Sequence, residues 1–467
     1  LDPLALEELG AQASEVDVAW QVAKDEKFSD IVVKGVERAR PSLAHSVHAE
    51  VQGLQPDRTY FYRFIVGAAA SPTGRTKTLA AANANTDRLR LAYASCQQWG
   101  NGYYSAYRHM ANEELDFVLF LGDYIYEYPA SLVPIRATTG GWITTLDGYR
   151  SRYALHKSDR DLQAAHAAFP WILTWDDHEV QNDYAGQFEG RSGIPVADFM
   201  ARRRAAYQAF YEHMPVRRES FAKLLASESM EARLFDRVQI GKLATLCTLD
   251  DRQYRDRQVC NPDNRAGSSM VDPTHCPDLT NPARTLLGSE QETWLKQAFA
   301  TSKTTWNLIG QQSVFGQRLG EVNGVTKVWN DGWDGYPASR QRFLNALQET
   351  KLSNPVLFGG DVHENWVGHI KADYNNPASA SLGVEFCGTS ITSLAGMKPE
   401  QAEKVLAANP HFIYAETRYR GYGVADISAQ KMTTTLKAMQ DATMPDSPAF
   451  DLAKFEVQAG SNRIDKL

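Results

Sequence analysis

The sequence predicts an α/β protein that carries an all-β sandwich at its amino terminus. Three observations predict it. Up to about residue 80, apolar and polar side chains alternate with period two. Beyond residue 87, continuous apolar runs alternate with stripes at helical spacing. Between them lies Ala80–Asp87, small and polar, which suits a linker. The expected units are residues 1–84 and 85–467.

Within the first unit, Val16–Ala23, Ser46–Val51 and Tyr60–Val66 each alternate as half-buried strands do. The stretch Gly53–Tyr60, a turn followed by Tyr, resembles fibronectin type III modules, so the sandwich is expected to be fibronectin- or immunoglobulin-like. In the second unit, Ser289 and Glu292 form a capping box ahead of a helix carrying Trp294, Leu295, Ala298 and Phe299. Phe199, Ala206, Tyr207, Phe210, Tyr211 and Met214 recur at helical spacing, the mark of a packed helix face.

The 467 residues carry a net charge of −7, which argues against a nucleic-acid coat, since such proteins present a basic face. A small phosphorylated substrate remains compatible, because bound metal can dominate local charge. No apolar run approaches the roughly 20 residues that span a bilayer, so no transmembrane segment is expected. Leu1-Asp2-Pro3-Leu4-Ala5 lacks the basic start and apolar core of a signal peptide, and no initiator Met precedes it, so a processed product is expected. Cys260 and Cys276 flank a loop-like stretch, a context that suits a disulfide in an exported protein, although sequence does not fix pairing. The odd total of five cysteines leaves at least one thiol without an intramolecular partner.

Four apolar runs end in residue types that bind metals. Leu89–Ala94 leads to Cys96, and Phe117–Leu121 leads to Gly122-Asp123-Tyr124-Ile125-Tyr126. Trp171–Trp175 leads to Asp176-Asp177-His178-Glu179, and Pro355–Phe358 leads to Gly359-Gly360-Asp361-Val362-His363. Such runs suit strands buried on both faces, and open α/β sheets place ligands at their carboxyl ends. Converging carboxylates repel one another and resist ionisation without positive charge nearby. A pair of metal ions supplies that charge and can clamp a phosphate while activating water. His178 could donate a proton to the phosphate or the leaving oxygen. Arg252 and Arg255 suit either bidentate contact with phosphate or structural ion pairs. Trp329, Trp333 and Tyr336 suit aromatic packing under a loop, with a wall or lid near the site as the alternative.

The order Gly-Asp, Asp-His-Glu, Gly-Asp-x-His resembles the calcineurin-like metallophosphoesterases, with Asp177 and Asp361 where those proteins usually carry Asn and His. A carboxylate in place of an imidazole favours a hard cation such as Ca²⁺. The spacing Asp123-x-x-Tyr126 is similar to purple acid phosphatases. The most specific resemblance is to the PhoD-like alkaline phosphatase/phosphodiesterase family. It rests on Ala94–Gln97, Leu121–Glu127, Thr174–Val180, Asp251–Arg255, Trp333–Tyr336 and Gly360–His363, in order along nearly the whole chain.

That resemblance implies a metallophosphoesterase core of two packed mixed sheets flanked by helices. It implies metal-dependent hydrolysis of phosphate mono- or diesters with release of inorganic phosphate. It also implies Fe³⁺ held by Cys96, Asp123, Tyr126 and His363, and Ca²⁺ held by Asp123, Asp361 and either Asp177 or Asn182. Export to the periplasm or exterior, with the signal peptide removed, is part of the same expectation. An esterase or phospholipase-type activity on the same scaffold is the enzymatic alternative. A non-catalytic adhesion role is opposed by the intact set Cys96, Asp123, Tyr126 and His363.

Overall fold

The computed structural model describes residues 14–129, 133–138, 140–261 and 265–467, so the expectations for Leu1–Ala5 and for the start of the 1–84 unit fall outside it. Five short strands form the amino-terminal sheet: β1 (Val16–Ala23), β2 (Ile31–Ala39), β3 (Thr59–Val66), β4 (Ala69–Ala70) and β5 (Gly74–Lys77). They pair antiparallel in the order β2-β1-β3-β4, with β5 also on β3. Alternation brings Val18, Ala39 and Val66 into one small apolar cluster. Among the described residues this unit has a single sheet, and it bonds to the larger unit through Arg75 to the Ala168 carbonyl (3.0 Å) and Lys77 to Asp116 (2.5 Å).

The expected strand over Ser46–Val51 does not form. Its polar groups go to the larger unit instead. The His48 ring nitrogens lie 2.9 Å from the carbonyls of Val216 and Tyr211, and Glu50 accepts the Arg218 N–H at 2.9 Å. These contacts compete with a ladder for the same segment.

Two seven-stranded mixed sheets build the larger unit. The first contains β6 (Arg88–Ala94), β7 (Phe117–Phe120), β8 (Trp171–Leu173), β19 (Gly421–Ser428), β20 (Lys431–Met439), β21 (Ala449–Gln458) and β22 (Ile464–Lys466), in the order β22-β21-β20-β19-β6-β7-β8. The second contains β9 (Asp236–Ile240), β10 (Ala244–Thr248), β12 (Trp306–Gly310), β15 (Pro355–Gly359), β16 (Asn365–Lys371), β17 (Ser381–Cys387) and β18 (Phe412–Glu416), in the order β18-β16-β17-β15-β12-β10-β9. A small sheet of β11 (Met270–Val271), β13 (Gly320–Val322) and β14 (Val325–Trp329) stands apart, in the order β11-β14-β13.

The large sheets pack face to face through Leu91, Leu119 and Phe455 of one and Leu308, Phe358 and Phe386 of the other. Full burial of such side chains contributes roughly 1.5–3 kcal/mol each. Helices cover the outer faces. Helix Phe199–His213 packs Tyr207 and Phe210 against the first sheet's cluster. Helices Gly288–Thr301 and Pro337–Thr350 pack Leu295, Phe299 and Phe343 against the second. This is the expected architecture of two packed mixed sheets flanked by helices.

The Ser289 capping box is absent. The helix starts at Gly288, whose N–H is taken by the Thr285 hydroxyl (2.9 Å), and Glu292 bonds Thr285, Ser339 and Arg342. Arg342, from the neighbouring helix, outcompetes a cap for that carboxylate. Cys260 and Cys276 are joined by a disulfide, and Cys96, Cys247 and Cys387 are free and buried. Among the described residues no helix is long and apolar enough to cross a membrane.

Candidate metal centre

Register sets the height of the site. Ala94 pairs with Phe120, and Phe120 with Leu173, so three parallel strands of the first sheet end level. The loops that follow carry Cys96, Asp123 and the Asp176–Glu179 run. β15 of the second sheet brings Asp361 and His363 to meet them. Two glycines allow the close approach. A Cβ on Gly122 would lie 2.5 Å from the Asp176 Cβ, and one on Gly360 would lie 2.3 Å from Ser95 Oγ. The backbone at Cys96, Asp123, Asp361 and His363 is left-handed, with φ of 61°, 59°, 64° and 61°. That conformation costs non-glycine residues roughly 1–2 kcal/mol each and persists where the surroundings enforce it.

Glu179 supplies part of that enforcement. Its Oε2 accepts the N–H groups of Asp123 (3.1 Å) and Asp176 (2.8 Å), and its Oε1 accepts that of Tyr124 (2.6 Å). Burial and the Asp123 charge push Glu179 up to about 8, while the three N–H donors act the other way.

Ligand atoms of Cys96, Asp123 and His363 lie within 4.8 Å of one another. Tyr126 Oη completes the group, 2.9 Å from Asp123 Oδ2 and 3.3 Å from His363 Nε2. His363 donates Nδ1–H to the Leu394 carbonyl at 2.6 Å, which leaves the Nε2 lone pair facing the cluster. Three further groupings adjoin it: Asp123 with Asp177 and His178, Asp176 with Asp177 and Asp361, and Asp177 with Asp183 and Asp331. Asp123 links the first two clusters and Asp177 the last three. Asn182 lines the same cavity as Asp177, so the structure brings both candidate calcium ligands to it.

The electrostatics of these groups ask for cations. Burial pushes the Cys96 thiol and the Tyr126 phenol well above their ordinary ranges, and the Asp123 charge adds to both. Burial, with Asp177 and Asp331 close by, pushes Asp361 up to about 8, although Arg252 opposes it. Burial also opposes the charge on Asp177, but Arg252 and His178 hold that carboxyl below its usual range. Asp176 Oδ2 and Asp177 Oδ1 are buried without a hydrogen-bond partner. Thiolate, phenolate and imidazole suit a transition metal, while clustered carboxylates suit a hard cation, so the donor set fits both.

His178 stands at the cavity with Nδ1 2.7 Å from Glu127 Oε2, which leaves Nε2 as its free nitrogen. Burial opposes its charge, but Glu127, Asp123 and Asp177 outweigh burial and hold it well above the ordinary histidine range.

Arg252 and Arg255 do not line the cavity; their terminal guanidinium nitrogens bond protein groups, while Arg255 Nε is buried without a partner. Arg252 bonds Asp176, bonds Asp331 at 2.7 Å, and reaches Asp361 and Asp177 at 3.5 and 3.8 Å. Arg255 bonds the Asp331 carbonyl (2.8 Å) and carboxylate (2.5 Å) and the Tyr184 carbonyl (3.0 Å). These contacts are ion pairs and hydrogen bonds within the protein. Among the described residues, Arg318 is the arginine that lines the cavity, paired with Glu364 at 3.0 Å.

The cavity measures about 360 Å³ and has apolar lining from Met270, Trp329, Val362, Met397 and Val405. Trp329 is thus part of a wall, whereas Trp333 and Tyr336 are buried in the core. Sequence reasoning also passed over Asp183, Asp331, Glu127 and Ser393. The first three sit on or near quoted motifs and could have been found as neighbouring carboxylates. Ser393 lies in the run Gly388–Ser393, which carries no signal of a site.

Residues 91–436 match the family profile described as PhoD-like phosphatase, and residues 1–80 match that family's N-terminal domain. The chain is 42% identical over 465 residues to alkaline phosphatase D of Bacillus subtilis (strain 168), covering 98% of this chain and 77% of that protein. It is also similar to a solved structure of PhoD, with a TM-score of 0.90 and 41% identity over 97% of this chain and 86% of that one.

Proposed function

Taking as premise that the chain belongs to the PhoD-like phosphatase family, we propose that its metal centre is mixed, with Fe³⁺ and Ca²⁺ sharing Asp123. The enzyme is a metal-dependent phosphoric ester hydrolase. In this reading Cys96, Asp123, Tyr126 and His363 hold iron, and Asp123, Asp361 and Asp177 or Asn182 hold calcium. The supporting observation is the single Asp123 carboxylate standing between a thiol–phenol–imidazole group and a carboxylate group. When bound, the two ions supply Lewis acidity to a phosphoryl group and to water.

The protein's own residues do the rest. His178, oriented by Glu127, presents Nε2 toward the cavity and protonates the leaving oxygen. Ser313 holds Asp361 through a 2.8 Å hydrogen bond to Oδ2. Arg252 neutralises and spaces the carboxylates from behind rather than gripping substrate. The apolar lining receives the organic arm of the ester and excludes water from it. The Cys260–Cys276 disulfide supports action in an oxidising compartment, outside the cytoplasm.

The test is turnover of p-nitrophenyl phosphate and of its bis ester, with and without a calcium chelator. Hydrolysis that stops in chelator and returns with Ca²⁺ is expected. Full activity in chelator would overturn the calcium assignment, and the ratio of the two rates gives the mono- or diester preference.

A further inference from the structure

We propose that Ser393 tunes Tyr126 as an iron ligand by donating a hydrogen bond to its phenolate oxygen. The proposal rests on the reading that Tyr126 binds iron. It adds a residue that neither the sequence motifs nor the ligand clusters contain.

Ser393 is buried, and its Oγ lies 2.6 Å from Tyr126 Oη. As drawn by geometry, the serine hydroxyl donates to the Cys96 carbonyl at 2.9 Å and accepts the N–H of Gln98 at 3.3 Å. The phenol therefore has its own proton to place, toward Asp123 Oδ2 (2.9 Å) or Ser393 Oγ. Iron binding releases that proton to solvent and turns the phenol oxygen into an acceptor only. Of its partners Asp123, His363 and Ser393, the first two then serve as ligands. Ser393 alone among those three keeps a hydrogen that can turn toward the phenolate.

The turn leaves no group stranded. The Cys96 carbonyl keeps the backbone N–H groups of Thr392 (3.4 Å) and Ser393 (3.3 Å) as donors. The serine cannot drift away, because its carbonyl is held by Arg420 (2.7 Å) and by the Ser390 hydroxyl (2.5 Å). The next residue, Leu394, offers its carbonyl to His363 Nδ1. One loop thus contacts Cys96, Tyr126 and His363 together. A hydrogen bond to a ligating oxygen withdraws electron density from it and fixes its direction, so such partners tune both spectrum and affinity.

The experiment uses iron-loaded holoenzyme, with metal content and thermal stability measured alongside the visible spectrum. Wild type is expected to show a tyrosinate-to-iron band. Ser393→Ala should move that band to longer wavelength, because the phenolate orbitals rise in energy, and should weaken iron retention about tenfold. Ser393→Thr, which keeps the hydroxyl, should restore the wild-type band. Resonance Raman of the wild type should show tyrosinate modes that shift between H₂O and D₂O, and that shift should vanish in Ser393→Ala. An iron-loaded Ser393→Ala protein with the wild-type band and isotope shift overturns the proposal. If Ser393→Ala fails to hold iron, absence of the isotope shift in wild type overturns it instead, and presence supports it. A wild-type enzyme with no iron and no band refutes the underlying Tyr126 assignment and is told apart by metal content.

Discussion

Replacing Glu179 with Gln tests how the strained strand-end loops are held. The carboxylate accepts one N–H on Oε1, at 2.6 Å, and two on Oε2, at 3.1 and 2.8 Å. A glutamine has one acceptor oxygen. In its better orientation that oxygen replaces Oε2, and the amide NH₂ is set against the Tyr124 N–H. One buried donor is then orphaned, at a cost of about 1–3 kcal/mol. The two retained bonds lose their charge assistance, about 1 kcal/mol each. Removing the Glu179 charge offsets part of this, since burial and the Asp123 charge both oppose it and raise Glu179 to about 8. The net expected loss is about 2 kcal/mol, or roughly 30-fold in the unfolding constant. Denaturant unfolding of metal-depleted protein at about pH 9, above the Glu179 value of about 8 so that the carboxylate is ionised, measures it directly. A second readout is metal content after dialysis, which should fall because Asp123 loses the clamp that sustains its left-handed backbone. Stability within about 0.5 kcal/mol of wild type, with metal content unchanged, would refute the clamp.

Arg252→Met should cost about 3–5 kcal/mol, because Asp176 and Asp331 lose a buried cation, and should reduce calcium affinity rather than raise KM alone; a pure KM effect would return Arg252 to phosphate binding. Trp329→Ala should raise KM for bis(p-nitrophenyl) phosphate about tenfold through lost apolar contact, while inhibition by inorganic phosphate stays constant; equal changes in both would contradict the apolar subsite. Acid should remove the contribution of two buried histidines in a defined window. Burial lowers His213 and His411 to about 4, so below the unfolded value of about 6.5 the unfolded chain binds protons that the folded one does not. The part of the stability owed to these two histidines is then full above about pH 6.5 and lost as pH drops toward 4, by up to roughly 3 kcal/mol per histidine, while Glu179 and Asp361, raised to about 8, act in the opposite direction. The difference in melting temperature between wild type and His411→Gln, followed from about pH 8 to pH 5, isolates one of them: it should shift in favour of the variant as pH falls, and a pH-independent difference would contradict this.

The strand ends were legible because two signals coincide there. An apolar run marks a strand buried on both faces, and the first polar residues after it are ligand types. That carried Cys96, Asp123, Tyr126 and His363 to one place, although β15 belongs to a different sheet from β6, β7 and β8. Arg252 shows what such reading misses. Its partners lie at positions 176, 331 and 361, and only the packed fold reveals that those carboxylates occupy its donors. Ser46–Val51 alternates as a strand should, yet its groups are claimed by Tyr211, Val216 and Arg218, more than 160 residues away in sequence. Glu292 was similarly taken from the helix cap by Arg342. Ser393 follows the buried strand β17, but the run Gly388–Ser393 holds no ligand-type residue, so its place at the site depends on tertiary contact.

In the proposed centre, Tyr126 and Cys96 hold ferric iron beside calcium on the shared Asp123. Metal analysis of the purified native protein, read together with its visible absorption and that of Tyr126→Phe, tests it most directly. Iron in stoichiometric amount, calcium with it, and a charge-transfer band that Tyr126→Phe abolishes are expected. A colourless, iron-free protein with full phosphoesterase activity would contradict it.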